Sequence, residues 1–110
     1  MSERRVAVIT GGGTGIGAAC ALALAADATD LVLVGRRIDR LETSAAVVRG
    51  AYPDTVVHCR STDLTDVDAV TSLCTWVGAE LGRVDVVVNN AGSPQPRIED
   101  GLASVAAAWE

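Results

Sequence analysis

The stretch VAVITGGGTGIGAACALALAA, residues 6–26, decides the fold of this 110-residue chain. An apolar run of strand length breaks into five glycines within seven positions, Gly11, Gly12, Gly13, Gly15 and Gly17, then resumes as an alanine-rich segment with helical spacing. A strand, a glycine turn and a helix in that order put the unpaired N–H groups of a helix N-terminus at the carboxyl end of the strand, where they can donate to phosphate oxygens. Glycine serves positive φ angles there, and close approach of a ligand or a neighbouring strand. A pyrophosphate is the expected visitor, and a tight structural turn is the competing explanation.

Working outward, three more runs rich in valine, isoleucine or leucine follow Val6–Thr10: Leu31–Gly35, Thr55–Arg60 and Val84–Asn89. The segments between them carry helical periodicity. Ile38, Leu41, Ala45 and Val48 fall on one face, as do Val70, Leu73, Val77 and Leu81. Thr65-Asp66-Val67-Asp68 resembles a capping box and sets two carboxylates at a helix N-terminus. The order βαβαβαβ with near-continuous apolar strands implies an α/β fold, a Rossmann-like doubly wound parallel sheet in the order 3-2-1-4. The whole of 1–110 reads as one partial nucleotide-binding domain that stops after the fourth strand, with a loop at 93–97 and a last helical start over Ile98–Glu110.

A net charge of −5 and nine basic residues, all arginine and scattered apart from Arg4-Arg5 and Arg36-Arg37, argue against a nucleic-acid surface. The first five residues include Glu3, Arg4 and Arg5, and the apolar stretch Val6–Ile9 that follows is far shorter than a signal-peptide core or a membrane span, so a soluble cytoplasmic protein is expected. Cys20, Cys59 and Cys74 are widely spaced and odd in number, which suggests neither a disulfide framework nor a metal site. They read as small buried residues, and His58 as an ordinary strand histidine.

A dinucleotide-binding unit usually carries an acid at the end of its second strand, about 20 positions after the glycine turn, to hold the adenosine ribose hydroxyls. That place here is GRR, with Arg36 and Arg37. Two guanidinium groups match a 2′-phosphate better than a ribose hydroxyl, which favours NADP over NAD. The alternative is that one or both are solvated charges at the start of the second helix.

These residues resemble the classical type of the short-chain dehydrogenase/reductase family. Thr10-Gly11-Gly12-Gly13-Thr14-Gly15-Ile16-Gly17 is similar to its T-G-x-x-x-G-I-G cofactor loop, Asp63-Leu64 to its adenine-side acidic position, and Asn89-Asn90-Ala91-Gly92 to its N-N-A-G motif. Threonine at position 14 separates the chain from the extended members, which place glycine there. Some classical members carry a basic residue at that position as a second 2′-phosphate contact. The resemblance implies that the backbone around Gly15 and Ile16 faces the pyrophosphate and that Arg36 and Arg37 face the 2′-phosphate. It further implies that Asp63 and Leu64 meet the adenine, and that Asn90, Ala91 and Gly92 line the ribose side. The asparagines would also brace the central strands.

Hydride transfer in that family uses a Tyr-x-x-x-Lys pair with a serine and an asparagine. The chain contains no lysine, and its single tyrosine, Tyr52, lies between the second helix and the third strand, so no catalytic residue is assigned. The leading expectation is an NADP-dependent oxidoreductase acting between a secondary alcohol and a ketone, represented by its cofactor-binding half. Its small carbonyl or alcohol substrate, and subunit pairing, would belong to the full-length form. A non-catalytic nucleotide-binding remnant or interaction module is the first alternative. An S-adenosylmethionine-dependent methyltransferase is the second, although nothing in that class predicts N-N-A-G. A sheet ending at its fourth strand exposes an apolar edge, so the isolated 110 residues are expected to be marginally stable.

Overall fold

A computed structural model describes residues 4–13 and 15–90. Seven elements alternate along the chain: β1 (Arg5–Thr10), α1 (Gly15–Ala26), β2 (Thr29–Gly35), α2 (Ile38–Ala51), β3 (Val57–Ser61), α3 (Val67–Glu80) and β4 (Val86–Asn89). The strands form one sheet in the order β3-β2-β1-β4, and every pairing is parallel. In the central register, Ile9 stands between Leu33 and Val88.

Side chains alternate across the sheet, and the two faces collect separate cores. Ala7, Ile9, Leu31, Leu33 and Val57 point to one face and pack with Ala21 and Ala25 of α1 and with Leu41, Ala45 and Val48 of α2. Val6, Val32 and Val34 point to the other, against Leu73 and Val77 of α3. Gly17, Ala21 and Ala25 are the buried positions of α1, four residues apart, so small side chains on one stripe let this helix lie close on the sheet.

That division creates the site. Two crossovers carry the chain outward from β1 to β2 and β3 with their helices on one face. The third returns it to the far side of β1 with α3 on the opposite face. The order therefore reverses between β1 and β4, and in open α/β sheets the crevice at the carboxyl ends of such strands is where ligands collect. The glycine turn leaves β1 there, and Asn90 follows β4.

Three local expectations are corrected. Ile38 lies 45% exposed rather than on the buried face with Leu41, Ala45 and Val48, because it is the first residue of α2 and overhangs the sheet. Asp66, not Thr65, caps α3, its side chain accepting from the N–H groups of Asp68 and Ala69. Thr65 is drawn away by Asp63, whose Oδ1 takes both its hydroxyl at 2.7 Å and its N–H at 2.9 Å. Finally, Cys74 is exposed on α3 and Cys20 and Cys59 are half-buried, so none is fully buried. His58 is the strand histidine expected, edge-on to Trp76 with ring centroids 5.1 Å apart.

Candidate functional site

The glycine turn is built mainly by the protein's own neighbours. Gly11 takes a φ of 67°, a conformation that side chains disfavour, and its N–H donates to the Val34 carbonyl at 2.8 Å. Gly12 donates to the same oxygen at 3.3 Å, so the turn is stapled to the end of β2. A Cβ on Gly12 would lie 2.9 Å from Leu33 Cβ, and one on Gly13 would lie 2.8 Å from Arg40 Cβ. At Gly17 it would run into the Gly11 carbonyl oxygen. Gly15 differs: a Cβ there meets nothing within 4 Å among the described residues. The glycine cluster therefore has two causes. Gly12, Gly13 and Gly17 serve packing, whereas Gly15, with its exposed neighbour Ile16, opens the α1 N-terminus to solvent at the switch point.

Thr10 and Asn90 tie this turn to β4. The Thr10 hydroxyl donates to the Val88 carbonyl at 3.2 Å and accepts from the Asn90 N–H at 3.0 Å. The Asn90 amide donates in turn to the Gly11 carbonyl at 3.2 Å. Asn89 stands opposite Thr10 in the parallel register, exposed at the strand end. The sequence motifs at the ends of β1 and β4 thus converge on one knot of hydrogen bonds. Thr14, Ala91 and Gly92 lie outside the described residues.

The end of β2 supplies charge. Arg36 and Arg37 are exposed, and Arg37 holds the N-cap position of α2, where its side chain offers no acceptor to the helix N–H groups. The Ser61 hydroxyl donates to the Arg36 carbonyl at 3.0 Å and so ties the start of that turn to the end of β3. Arg36 Nε lies 3.7 Å from Asp63 Oδ1, and Arg37 Nη2 3.7 Å from Asp39 Oδ2. Exposed pairs at that distance are held weakly, so either guanidinium can turn to another anion at little cost. Asp63 stays exposed in the turn after β3, its carboxyl held below the ordinary carboxylate range by the Thr65 hydroxyl and N–H, with Arg36 adding to the effect. Leu64 instead packs half-buried against the α3 core.

Tyr52 is at the wrong end of the sheet for the crevice. It is the C-cap of α2 and lines a shallow cavity of about 240 Å³ with Arg4, Ala25, Asp54 and Thr55, below the amino ends of the strands. Among the described residues no group of histidine, cysteine and carboxylate side chains could hold a metal ion, and no helix is long and apolar enough to cross a membrane.

The parallel order, the crevice at the β1–β4 reversal and the three strand-end motifs agree with a match of residues 5–108 to the family described as short chain dehydrogenase. The chain belongs to that family. Its members are oxidoreductases on a Rossmann fold, and the chain is 41% identical over 88 residues to levodione reductase of Leifsonia aquatica, covering 80% of itself and 33% of that protein. Among solved structures it is similar to a metagenomic short-chain oxidoreductase in complex with NADP, with a TM-score of 0.77 and 34% identity over 94% of this chain and 48% of that one. It is also similar to an NAD+-bound xylitol dehydrogenase, with a TM-score of 0.78 and 29% identity over 94% of this chain and 40% of that one. The chain spans from 26% to 38% of the length of such curated relatives.

One packing contact at the glycine turn of this short-chain dehydrogenase escaped the sequence reading. Arg40, in the first turn of α2, abuts Gly13. Nothing in the sequence signals this contact, which forms only when the first turn of α2 packs against Gly13.

Proposed function

We propose that residues 1–110 are the cofactor-binding part of an NADP-dependent oxidoreductase that moves hydride between a secondary alcohol and a ketone. The observation that carries the cofactor preference is the pair Arg36 and Arg37 at the end of β2, beside the glycine turn, where a ribose-binding acid would suit NAD. The open space at Gly15 fits a pyrophosphate over the α1 N-terminus, and Arg36 and Arg37 fit a dianionic 2′-phosphate through charge-assisted hydrogen bonds. Bound there, the nicotinamide cofactor would supply or accept the hydride. The chain's own residues bind and orient. Thr10, Gly11 and Gly17 shape the turn, Gly15 and Ile16 face the diphosphate, and Asp63 and Leu64 bound the adenine side. Asn90 with Ala91 and Gly92 borders the ribose, and Thr14 completes the loop. The relatives crystallised with NADP and with NAD+ support a nicotinamide nucleotide in general.

Calorimetric titration with NADPH and NADH tests this reading. The protein is expected to bind NADPH more tightly, and replacing Arg36 and Arg37 together by alanine should weaken NADPH roughly tenfold while leaving NADH nearly unchanged. Equal affinity for the two nucleotides in the unaltered protein would remove the NADP assignment.

A second reading, a nucleotide-binding unit without catalysis, draws support from the lack of any lysine in the sequence and from Tyr52 standing at the opposite sheet end. Ketone-dependent oxidation of NADPH by these residues alone would eliminate it.

A further inference from the structure

β3 ends the sheet on one side, so among the described strands it pairs with β2 alone. Which of its backbone groups face outward follows from the contacts at its two ends. The Val56 carbonyl accepts from the Leu31 N–H of β2 at 2.9 Å, and the Thr62 N–H donates to the Gly35 carbonyl of β2 at 2.8 Å. Backbone direction alternates along a strand, so His58 and Arg60 also turn their N–H and C=O groups to β2, whereas Val57, Cys59 and Ser61 turn theirs to the open edge. Such an edge, preceded by the exposed Val56, is a template for a further strand.

One of those outward groups is already taken. Arg49, in the last turn of α2, donates from Nη2 to the Val57 carbonyl at 2.5 Å. Its Nη1 stands 3.5 Å from Oε2 of Glu42, two turns earlier on the same helix, so the guanidinium is held between a carboxylate and the strand edge. Glu42 also hydrogen-bonds the Cys59 side chain, which sets that carboxylate beside the middle of β3. An incoming strand would need the Val57 carbonyl as an acceptor and would have to displace a charged donor to reach it. This contact lies at the amino end of β3, away from the glycine turn, and is independent of the nucleotide reading.

We propose that Arg49 guards this edge: by occupying the Val57 carbonyl, it keeps β3 from pairing with β3 of a second copy of the chain. Two identical edges related by a two-fold axis are self-complementary. Antiparallel pairing centred on Cys59 would set Val57 of each copy opposite Ser61 of the other and join two sheets into one, with the Val57 carbonyl accepting at both ends of the new ladder.

Sedimentation velocity over a range of concentrations, paired with hydrogen exchange resolved by residue, tests this on the 110-residue chain and its Arg49→Met variant. Methionine keeps an unbranched stem and a good helix former at the position but donates nothing. In the unaltered protein the Cys59 and Ser61 amides should exchange quickly at every concentration, while those of His58 and Arg60 are protected by β2. Arg49→Met should tighten self-association roughly tenfold or more, since two symmetry-related acceptors are freed at once, and the Cys59 and Ser61 amides should become protected as concentration rises. Association unchanged by the substitution would overturn the proposal. Stronger association that leaves those two amides unprotected would also overturn it, because the contact would then lie elsewhere, such as at β4. Concentration-dependent protection of Cys59 and Ser61 in the unaltered protein would do the same by showing an edge already paired, and that measurement stands even if Arg49→Met fails to fold.

Discussion

The side-chain amide of Asn90 donates to the carbonyl oxygen of Gly11 at 3.2 Å, joining the end of β4 to the turn that leaves β1. Gly11 holds a positive φ, so its carbonyl direction is set by a backbone state that needs support from outside the turn. Asn90→Ala should cost about 1 kcal/mol of stability by removing that donor. Asn90→Asp should cost more at neutral pH, because a carboxylate would then face the carbonyl oxygen. Chemical denaturation of both variants checks the order, and an aspartate variant as stable as the alanine variant would count against this role for the amide.

Gly17 and Gly15 separate packing from ligand approach. Gly17→Ala places a methyl group against the Gly11 carbonyl and close to the Asn90 amide, both fixed, so the helix must shift from the sheet. A loss of about 2 kcal/mol or more is expected. Gly15→Ala meets no described atom, and alanine is the better helix former, so stability should hold or rise by up to about 1 kcal/mol. Nicotinamide nucleotide binding should nevertheless weaken, since the added methyl occupies the approach to the α1 N-terminus. Thermal melts paired with NADPH titration would reveal the opposite pattern if Gly15 were the packing residue.

Legibility in the sequence followed the range of the interaction. The strand order and the clustering of motifs at strand ends come from local apolar runs and from crossover rules, and both were readable. Ile38 was misplaced because periodicity gives the direction of a helical face but not where the helix overruns the sheet. Thr65 and Asp66 exchanged roles because Asp63, two residues upstream, competes for the threonine hydroxyl. At the glycines the sequence could not separate a ligand's approach from a neighbour's. Leu33, Arg40 and the Gly11 carbonyl are brought to Gly12, Gly13 and Gly17 only when the elements pack.

The three cysteines should differ in reactivity. Burial pushes the Cys59 thiol up to about 11, with the Glu42 carboxylate adding to the shift and Arg49 opposing it. At about pH 8 only about one Cys59 in a thousand is a thiolate, whereas Cys74 is exposed on α3. A disulfide reagent should label Cys74 first and Cys59 last, and Cys74→Ser should abolish the fastest phase. Persistence of that phase in the serine variant would show that another thiol carries it.

Asp85 links the start of β1 to the approach to β4, and its stabilising effect depends on its charge. Arg83 donates to its two carboxylate oxygens at 2.8 and 2.6 Å, and the Val6 N–H donates to Oδ2 at 2.8 Å. The Arg83 guanidinium first, then the Val6 N–H, hold the Asp85 carboxyl below its ordinary value of 3.8. A carboxylate with a lowered pKa in the folded state stabilises fully above the unfolded value and loses that contribution as pH falls through the folded one. Stability should therefore drop on acidification below about pH 4, with Asp63 contributing in the same direction through Thr65. Asp85→Asn keeps an acceptor for Val6 but not the charge. It should melt lower than the unaltered protein near neutrality and show a shallower decline in acid. Melting temperatures between about pH 2 and pH 7 provide the check, since a constant offset across that range would mean that Asp85 does not titrate with folding.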